Sequence, residues 1–146
     1  IPTDMTTTLS LNDVYKELAN MQTHKTLVFL DACFSGTGRN DQMLSQARGV
    51  SIKPKTEKPQ GNMIVFSSAS GDETAFPYKE KKHGLFTYFL LKKLQATKGN
   101  VNLGELSDYI KSEVGKKAIV INSKPQTPIV STSQEMNDKW RKIKLK

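Results

Sequence analysis

A single cysteine stands where a run of apolar residues gives way to a glycine-containing turn. Cys33 follows Leu-Val-Phe-Leu, Asp31 and Ala32, and Gly36 and Gly38 come after it. In α/β sheets, ligands and catalytic groups gather outside the carboxyl ends of strands. A thiol placed there can act as a nucleophile, and its own amide can point at a developing oxyanion. A lone cysteine is more often a small buried hydrophobe, but the glycine turn and its polar flank favour the nucleophile here.

The histidines do not supply an obvious partner for this thiol. His24 is separated from Cys33 by about 25–30 Å of near-extended chain, so we expect it at the opposite end of the sheet. His83 stands just before a predicted helix, where the simplest interpretation is a helix-start side chain. With one cysteine and two histidines, neither an internal disulfide nor a structural zinc site is expected, and no metal site is predicted.

A second chemistry competes for the same cysteine. Cys33 and Arg39 have the Cys-x5-Arg spacing of the phosphate-binding loop of cysteine phosphatases, in which the thiolate attacks phosphorus. The motif is short and readily met by chance. A third class, a catalytically inactive scaffold that only binds partners, is weakened by the presence of Cys33.

The elements that would position these residues alternate between strands and helices. Helical spacing of apolar residues predicts helices near residues 11–21, 84–95 and 103–114, the last opened by Asn102 with Glu105 three residues on. Short apolar runs predict strands at residues 25–32, 62–68 and 127–132. This order predicts an α/β sandwich with a mainly parallel sheet.

Residues 39–61 break this regular pattern and are rich in glycine, proline and basic side chains. They form either a long mobile loop or a loop interrupted by a short helix near residues 41–47. Arg39 and Arg48 are candidate cleavage sites within it.

The composition indicates a globular chain with a basic surface. Hydrophobic residues make up 36% and charged residues 25%, which excludes a disordered chain, and the net charge is +8. The basic residues concentrate in the loop and in residues 139–146, whose alternation predicts a lysine-protected edge strand. No RNA-binding aromatic motif accompanies them, so nucleic acid is not an expected partner.

The apolar runs are too short to cross a membrane. Because the chain begins with Ile1, we expect a truncated or processed protein, whose compartment cannot be read.

The residues around Cys33 resemble a known family. Residues 31–36 (Asp-Ala-Cys-Phe-Ser-Gly) look like the nucleophile box of caspase-like cysteine peptidases, closest to metacaspases and bacterial caspase homologues. Residues 1–4, 64–70, 71–78, 84–87 and 126–131 are similar to further segments of that family in the same order. The resemblance implies a three-layer sandwich with helices on both faces of the sheet. This chain would be the C-terminal part of the catalytic domain, with the N-terminal strands missing.

The resemblance also implies a division of labour along the chain. Residues 1–38 would carry the cysteine, residues 39–61 a loop that is a processing site, and residues 62–146 a segment like the family's small subunit. The reaction would be peptide-bond hydrolysis through a thioester, with a Cys–His dyad whose histidine lies upstream of Ile1. The partners would be a peptide or protein substrate and the N-terminal part of the same domain, and a dimer is compatible with this interpretation.

The substrate-binding residues implied by the resemblance are Asp31, Asp4, Ser68, Ala75 and Phe76. Caspases that cut after Asp carry arginines in the places taken here by Asp31 and residues 75–77. A carboxylate pairs with Arg or Lys, and strand alternation places Asp31 on the same face as the cysteine two residues on, so cleavage after Arg or Lys is expected. The alternative for Asp31 is a strand-end carboxylate that accepts loop amides, and for Asp4 the pocket role and a structural role are equally open. Residues 5–8 (Met-Thr-Thr-Thr) replace the acidic cluster of metacaspases, so no cofactor is expected and calcium is not supported.

Overall fold

The computed structural model describes residues 10–32, 58–71, 73–137 and 139–146. These residues form three α-helices: α1 (Leu11–Asn20), α2 (Leu85–Thr97) and α3 (Leu103–Asn122). They also form five strands: β1 (Thr26–Leu30), β2 (Met63–Ser67), β3 (Pro77–Tyr78), β4 (His83–Gly84) and β5 (Ile129–Thr132). Three short 3-10 helices complete them: Lys79–Lys81, Gln134–Met136 and Trp140–Lys142. None of the helices in these ranges is long and apolar enough to span a bilayer.

The main sheet of the described residues has the strand order β1-β2-β5 and is mixed. β1 pairs with β2 in parallel, from Thr26 opposite Met63 to Leu30 opposite Ser67. β2 pairs with β5 antiparallel, with Ile64 opposite Thr132. The predicted α/β fold with helices and a sheet is therefore confirmed. Dominance of parallel pairing stays a prediction for the whole domain, because these strands contribute one pair of each kind.

Alternate residues of the central strands face two different sets of helices. Ile64 and Phe66 belong to the larger core cluster, which includes the buried faces of α2 and α3. Met63 and Val65 pack with Tyr15 of α1 in a smaller cluster. The alternation follows from the two-residue side-chain period of a strand. Helices thus pack against both faces of this part of the sheet.

The predicted helices are present, and their ends have identifiable causes. At the start of α3, Asn102 accepts the Glu105 N–H at 2.8 Å and the Glu105 carboxylate accepts the Asn102 N–H at 3.4 Å, which is the predicted capping box. α3 continues past the predicted end near residue 114 to Asn122. α2 ends where Lys98 and Gly99 take positive φ values of 52° and 78°, conformations that break the helical pattern.

The basic tail does not form the predicted edge strand. Trp140–Lys142 is a 3-10 helix, and Lys144 makes only an isolated antiparallel bridge with Asn102. The physical reason is packing: the Trp140 ring meets Phe66 edge-on at 6.1 Å between centroids, which draws the tail onto the core. A Cβ added to Gly104 would lie 3.0 Å from the Arg141 carbonyl oxygen, so the tail approaches α3 as closely as a glycine allows.

The α2–α3 side of the core should dominate stability. Leu106→Ala is expected to lower the free energy of unfolding by about 2–5 kcal/mol, because the fully buried side chain leaves a cavity in α3's packing. The matched control is Ile119→Ala on the same helix, whose side chain is 53% exposed and whose loss should cost less than about 0.5 kcal/mol. Urea denaturation of the full-length protein measures both, and equal losses would contradict this packing.

Candidate active site

The carboxyl ends of β1 and β2 lie side by side because the two strands run in parallel. Ser68, directly after β2, donates its N–H to the Leu30 carbonyl at 2.8 Å. Its hydroxyl reaches the carbonyl of Ala32 at 3.4 Å. Ala32 immediately precedes Cys33 in the sequence and is exposed. The chain is therefore held by hydrogen bonds up to the residue before the predicted nucleophile, at the sheet edge where α/β proteins bind ligands.

Asp31 joins the end of β1 to the beginning of α2. Its Oδ2 accepts hydrogen bonds from the Thr87 hydroxyl at 2.5 Å and from the Thr87 N–H at 3.3 Å. Thr87 is the third residue of α2, and the helix N-cap, Gly84, makes no side-chain cap bond. The first N–H groups of a helix lack intrahelical acceptors and carry partial positive charge. A carboxylate from the neighbouring strand supplies the missing acceptor, so Asp31 is held in a defined orientation.

A buried amide holds the segment that was predicted to bind substrate. The Gln126 side chain is 1% exposed. Its Oε1 accepts the Phe76 N–H at 2.9 Å, and its Nε2 donates to the Ser68 carbonyl at 2.8 Å. Because both ends of the amide are bonded, it costs little to bury. Gln126 thus connects the end of β2 with the middle of the segment 69–78.

A carboxylate closes the other end of that segment. Glu73 donates its N–H to the Ser70 carbonyl at 3.0 Å and accepts the Ser70 N–H at 3.4 Å. The same carboxylate accepts the Thr127 N–H at 2.5 Å and the Thr127 hydroxyl at 3.0 Å. Residues 126 and 127 therefore both hold the segment 69–78, one through a neutral amide and the other through charge-assisted bonds.

The structure places four of the predicted site residues around this strand end. Asp31 is half-buried, whereas Ser68 and Ala75 are 0% and Phe76 is 3% exposed. The Phe76 backbone is engaged at both polar groups, its N–H by Gln126 and its carbonyl by the Leu85 N–H at 2.9 Å. Substrate contact by Ser68, Ala75 and Phe76 stays a prediction, and their buried side chains presently serve the packing. Cys33, Asp4, Arg39 and Arg48 lie outside the described residues.

Both histidines are exposed, and His83 lies in a strand that precedes α2 and not in the first turn of the helix. His24 is exposed and precedes β1, so it lies at the amino end of the strand whose carboxyl end carries Asp31. His83 is exposed in β4, opposite Tyr78. Among the described residues, no group of three or more His, Cys, Asp or Glu side chains could hold a metal ion.

Sequence reasoning missed the residues that organise the site. Thr87, Gln126 and Glu73 all lie in segments that resemble the peptidase family, but no role was predicted for them. The available signal was a polar residue at a position that the surrounding apolar pattern marks as buried, as at Gln126.

Comparison with known families decides the relationship of the chain. A family model described as the caspase domain matches residues 1–138. The chain belongs to the caspase domain family. No curated protein and no solved structure matches it. The resemblance drawn from residues 31–36 and the later segments is thereby confirmed, and a caspase domain supports a cysteine-peptidase type of function in general.

The buried Gln126 amide allows a direct test of how the site is held together. Gln126→Leu keeps a similar volume but leaves the Phe76 N–H and the Ser68 carbonyl without their partner, and each such group costs about 1–3 kcal/mol. We expect a clear drop in the free energy of unfolding, measured by urea denaturation of the full-length protein.

Two variants test the specificity of that effect. Gln126→Glu keeps an acceptor for the Phe76 N–H but removes the donor to Ser68, so it should also destabilise. Thr127→Val removes one hydroxyl bond to Glu73 and keeps the backbone bond, so its cost should be smaller. A Gln126→Leu variant as stable as the parent protein would contradict the bridging role.

Proposed function

We propose that this chain is the C-terminal part of a cysteine endopeptidase domain that cleaves after Arg or Lys, with Cys33 as the nucleophile. Membership of the caspase domain family supports the reaction class. The single observation that supports the specificity is the Asp31 carboxylate, which hydrogen bonds to Thr87 hold in place two residues before Cys33. An oriented carboxylate beside the nucleophile favours a cationic side chain in the substrate.

The proposed reaction proceeds by covalent catalysis. The Cys33 thiolate attacks the carbonyl carbon of the scissile bond. The oxyanion that develops accepts a hydrogen bond from the Cys33 backbone N–H. The C–N bond then breaks, a histidine upstream of Ile1 gives its proton to the leaving amine, and a thioester remains. Water loses a proton to the same histidine and attacks the thioester carbonyl. The C–S bond breaks, the carboxylic acid product leaves, and the Cys33 thiolate and the protonated histidine are restored. No cofactor is needed for these steps.

The same geometry fits a purely structural role for Asp31, and the two roles make different demands on the side chain. A helix cap needs an acceptor for the Thr87 N–H, which an amide oxygen also provides. A pocket for Arg or Lys needs the negative charge. Asp31→Asn therefore separates them, because it keeps the acceptor and removes the charge.

Full-length protein should cleave Arg and Lys reporter peptides, and Asp31→Asn should reduce kcat/KM on them at least about tenfold. The melting temperature should fall only slightly, because the amide keeps the acceptor and loses only the charge–dipole attraction of about 0.3–1 kcal/mol. A lost charge partner in a buried pair costs about 2–5 kcal/mol, which exceeds that factor. Cys33→Ala should abolish cleavage and keep the fold. Thr87→Val, which removes the hydroxyl bond and keeps the backbone bond, is the matched control for the cap and should mainly affect stability.

The outcomes also separate the alternatives for Cys33. Turnover of an aryl phosphate that depends on Cys33 and Arg39, without peptide cleavage, would favour the phosphatase. Inactivity of the full-length protein in both assays would favour the scaffold. Cleavage of Asp-containing reporters in preference to basic ones, or full activity in Asp31→Asn, would overturn the proposed pocket.

Self-processing follows from the proposed specificity and from the division of the chain at residues 39–61. We expect active protein to be cut after Arg39 or Arg48, because basic residues in a polar connecting segment are the preferred substrate type. Mass spectrometry of the parent protein beside Cys33→Ala measures this. Identical intact chains in both, under conditions where reporters are cleaved, would contradict it.

A further inference from the structure

A basic, aromatic groove lies between α2 and α3, and Asp31 is not among its lining residues. It encloses about 290 Å³. Its principal lining is three aromatic and three basic side chains: Tyr78, Tyr88, Phe89, Lys92, Lys116 and Lys117. Small-molecule pockets generally occupy about 300–1,000 Å³. The groove is at the lower limit of that range and is open, so it suits the side chains of a polypeptide better than an enclosed ligand.

Aromatic contacts hold two of the lysines in place. The Tyr78 and Tyr88 rings meet edge-on at 5.0 Å, and Tyr88 meets Phe89 edge-on at 5.1 Å. The Lys117 ammonium lies 5.1 Å from the Tyr78 ring centroid, and that of Lys92 lies 5.9 Å from the Phe89 centroid. Cation–π contact of this kind is attractive. Because the contact already restricts the lysine side chain, less conformational entropy is lost when the lysine binds an anion.

The charges of the groove are unbalanced. Glu113 is the acidic residue among its lining, and it lies 3.5 Å from the Lys116 ammonium. Lys92 and Lys117 have no such acidic partner in the lining. The 3-10 helix Lys79–Lys81 follows Tyr78 directly and adds two exposed lysines and one exposed carboxylate, that of Glu80. An occupant should therefore carry negative charge.

One aliphatic side chain lies among the charged and aromatic lining of the groove. Val120 is 75% exposed. Contact with an aliphatic side chain of a bound polypeptide would remove part of this apolar surface from water. A ligand that combines carboxylates with an aliphatic side chain would match both parts.

We propose that this groove binds an acidic, leucine-containing segment of the protein substrate, at a distance from the bond that is cut. The proposal rests on the proposed peptidase function. Tyr78 ends the segment that carries Ala75 and Phe76, and Tyr88 follows Thr87, the partner of Asp31. The segment that ends at Tyr78 and the first turns of α2 thus contribute residues to both the strand end and the groove.

Other occupants fit less well. Nucleic-acid binding relies on aromatic faces for base stacking, but here ammonium groups cover the faces of Tyr78 and Phe89. Residues 1–146 themselves offer no longer acidic run, since their adjacent acidic residues are limited to Asp72 and Glu73. The occupant that we propose is therefore a segment of another protein, the substrate.

Direct binding tests the groove independently of catalysis. The probe is a fluorescent ten-residue peptide of alternating Glu and Leu, without Arg or Lys, and the protein is the full-length chain with Cys33→Ala. Fluorescence anisotropy should show saturable binding, weakened about tenfold by Lys92→Glu with Lys117→Glu, since two attractive charges become repulsive. The control pair is Lys111→Glu with Lys142→Glu, two exposed lysines outside the groove with the same change in net charge. It should change affinity less than about threefold.

Three outcomes would overturn the proposal: no binding by the parent protein, equal weakening by both pairs, or tighter groove-dependent binding of a single-stranded oligonucleotide of equal charge. A kinetic arm compares an Arg reporter with and without a Glu/Leu extension. The ratio of kcat/KM for the extended to the short reporter should fall in the groove pair alone. If no reporter is cleaved, the proposed peptidase fails while anisotropy still decides the groove. If reporters are cleaved but the groove pair leaves the ratio of kcat/KM for the extended to the short reporter unchanged, the groove proposal fails and the proposed peptidase stands.

Discussion

The hydrogen bonds between Asp31 and Thr87 are the constraint from which the geometry of the strand end follows. They require the carboxyl end of β1 to lie against the first turn of α2, although 56 residues separate the two side chains in the sequence. The helix N-terminus offers partial positive charge, and the strand offers a carboxylate. Once this contact forms, the segment between β2 and α2 has to turn back within a short span. The short β3–β4 hairpin, which pairs Pro77 with Gly84, makes that turn.

Two further polar contacts determine the course of the segment 69–78. Gln126 and Glu73 join it to the chain just before β5, and both have their polar groups bonded. Polar groups bonded on both sides specify one arrangement, because every alternative leaves a buried donor or acceptor unpaired. The apolar packing around Phe66 and Phe86 supplies most of the burial. The amide and carboxylate decide which backbone groups meet there, and so define the wall beside Asp31.

The elements could be predicted because their apolar residues recur with the period of a buried face. Ile64 and Phe66 alternate with Met63 and Val65, and the two pairs do pack against different helices. α3 was predicted too short because its last turns expose Ile119 and Val120, which removes the periodic signal while the backbone remains helical. The contacts of Thr87, Gln126 and Glu73 carry no periodicity, and their partners are 50 to 58 residues away. Tertiary pairing of this range is invisible to local patterns.

The strand end and the α2–α3 groove are connected through short, hydrogen-bonded stretches of chain. Phe76 is held by hydrogen bonds at its backbone N–H and carbonyl. Tyr78, two residues after Phe76, pairs with His83 in the β3–β4 hairpin. On the other side, Thr87 is bonded to Asp31 and Tyr88 is the next residue of the same helix turn. Rigid elements lose little freedom on binding, so a polypeptide that reaches both places meets two surfaces whose separation is already set. Binding at one then raises the effective concentration of the chain at the other. Under the proposed function, a weak, salt-sensitive contact at the lysines would therefore bias which proteins present a basic residue to Asp31, without any change in the proposed chemistry at Cys33.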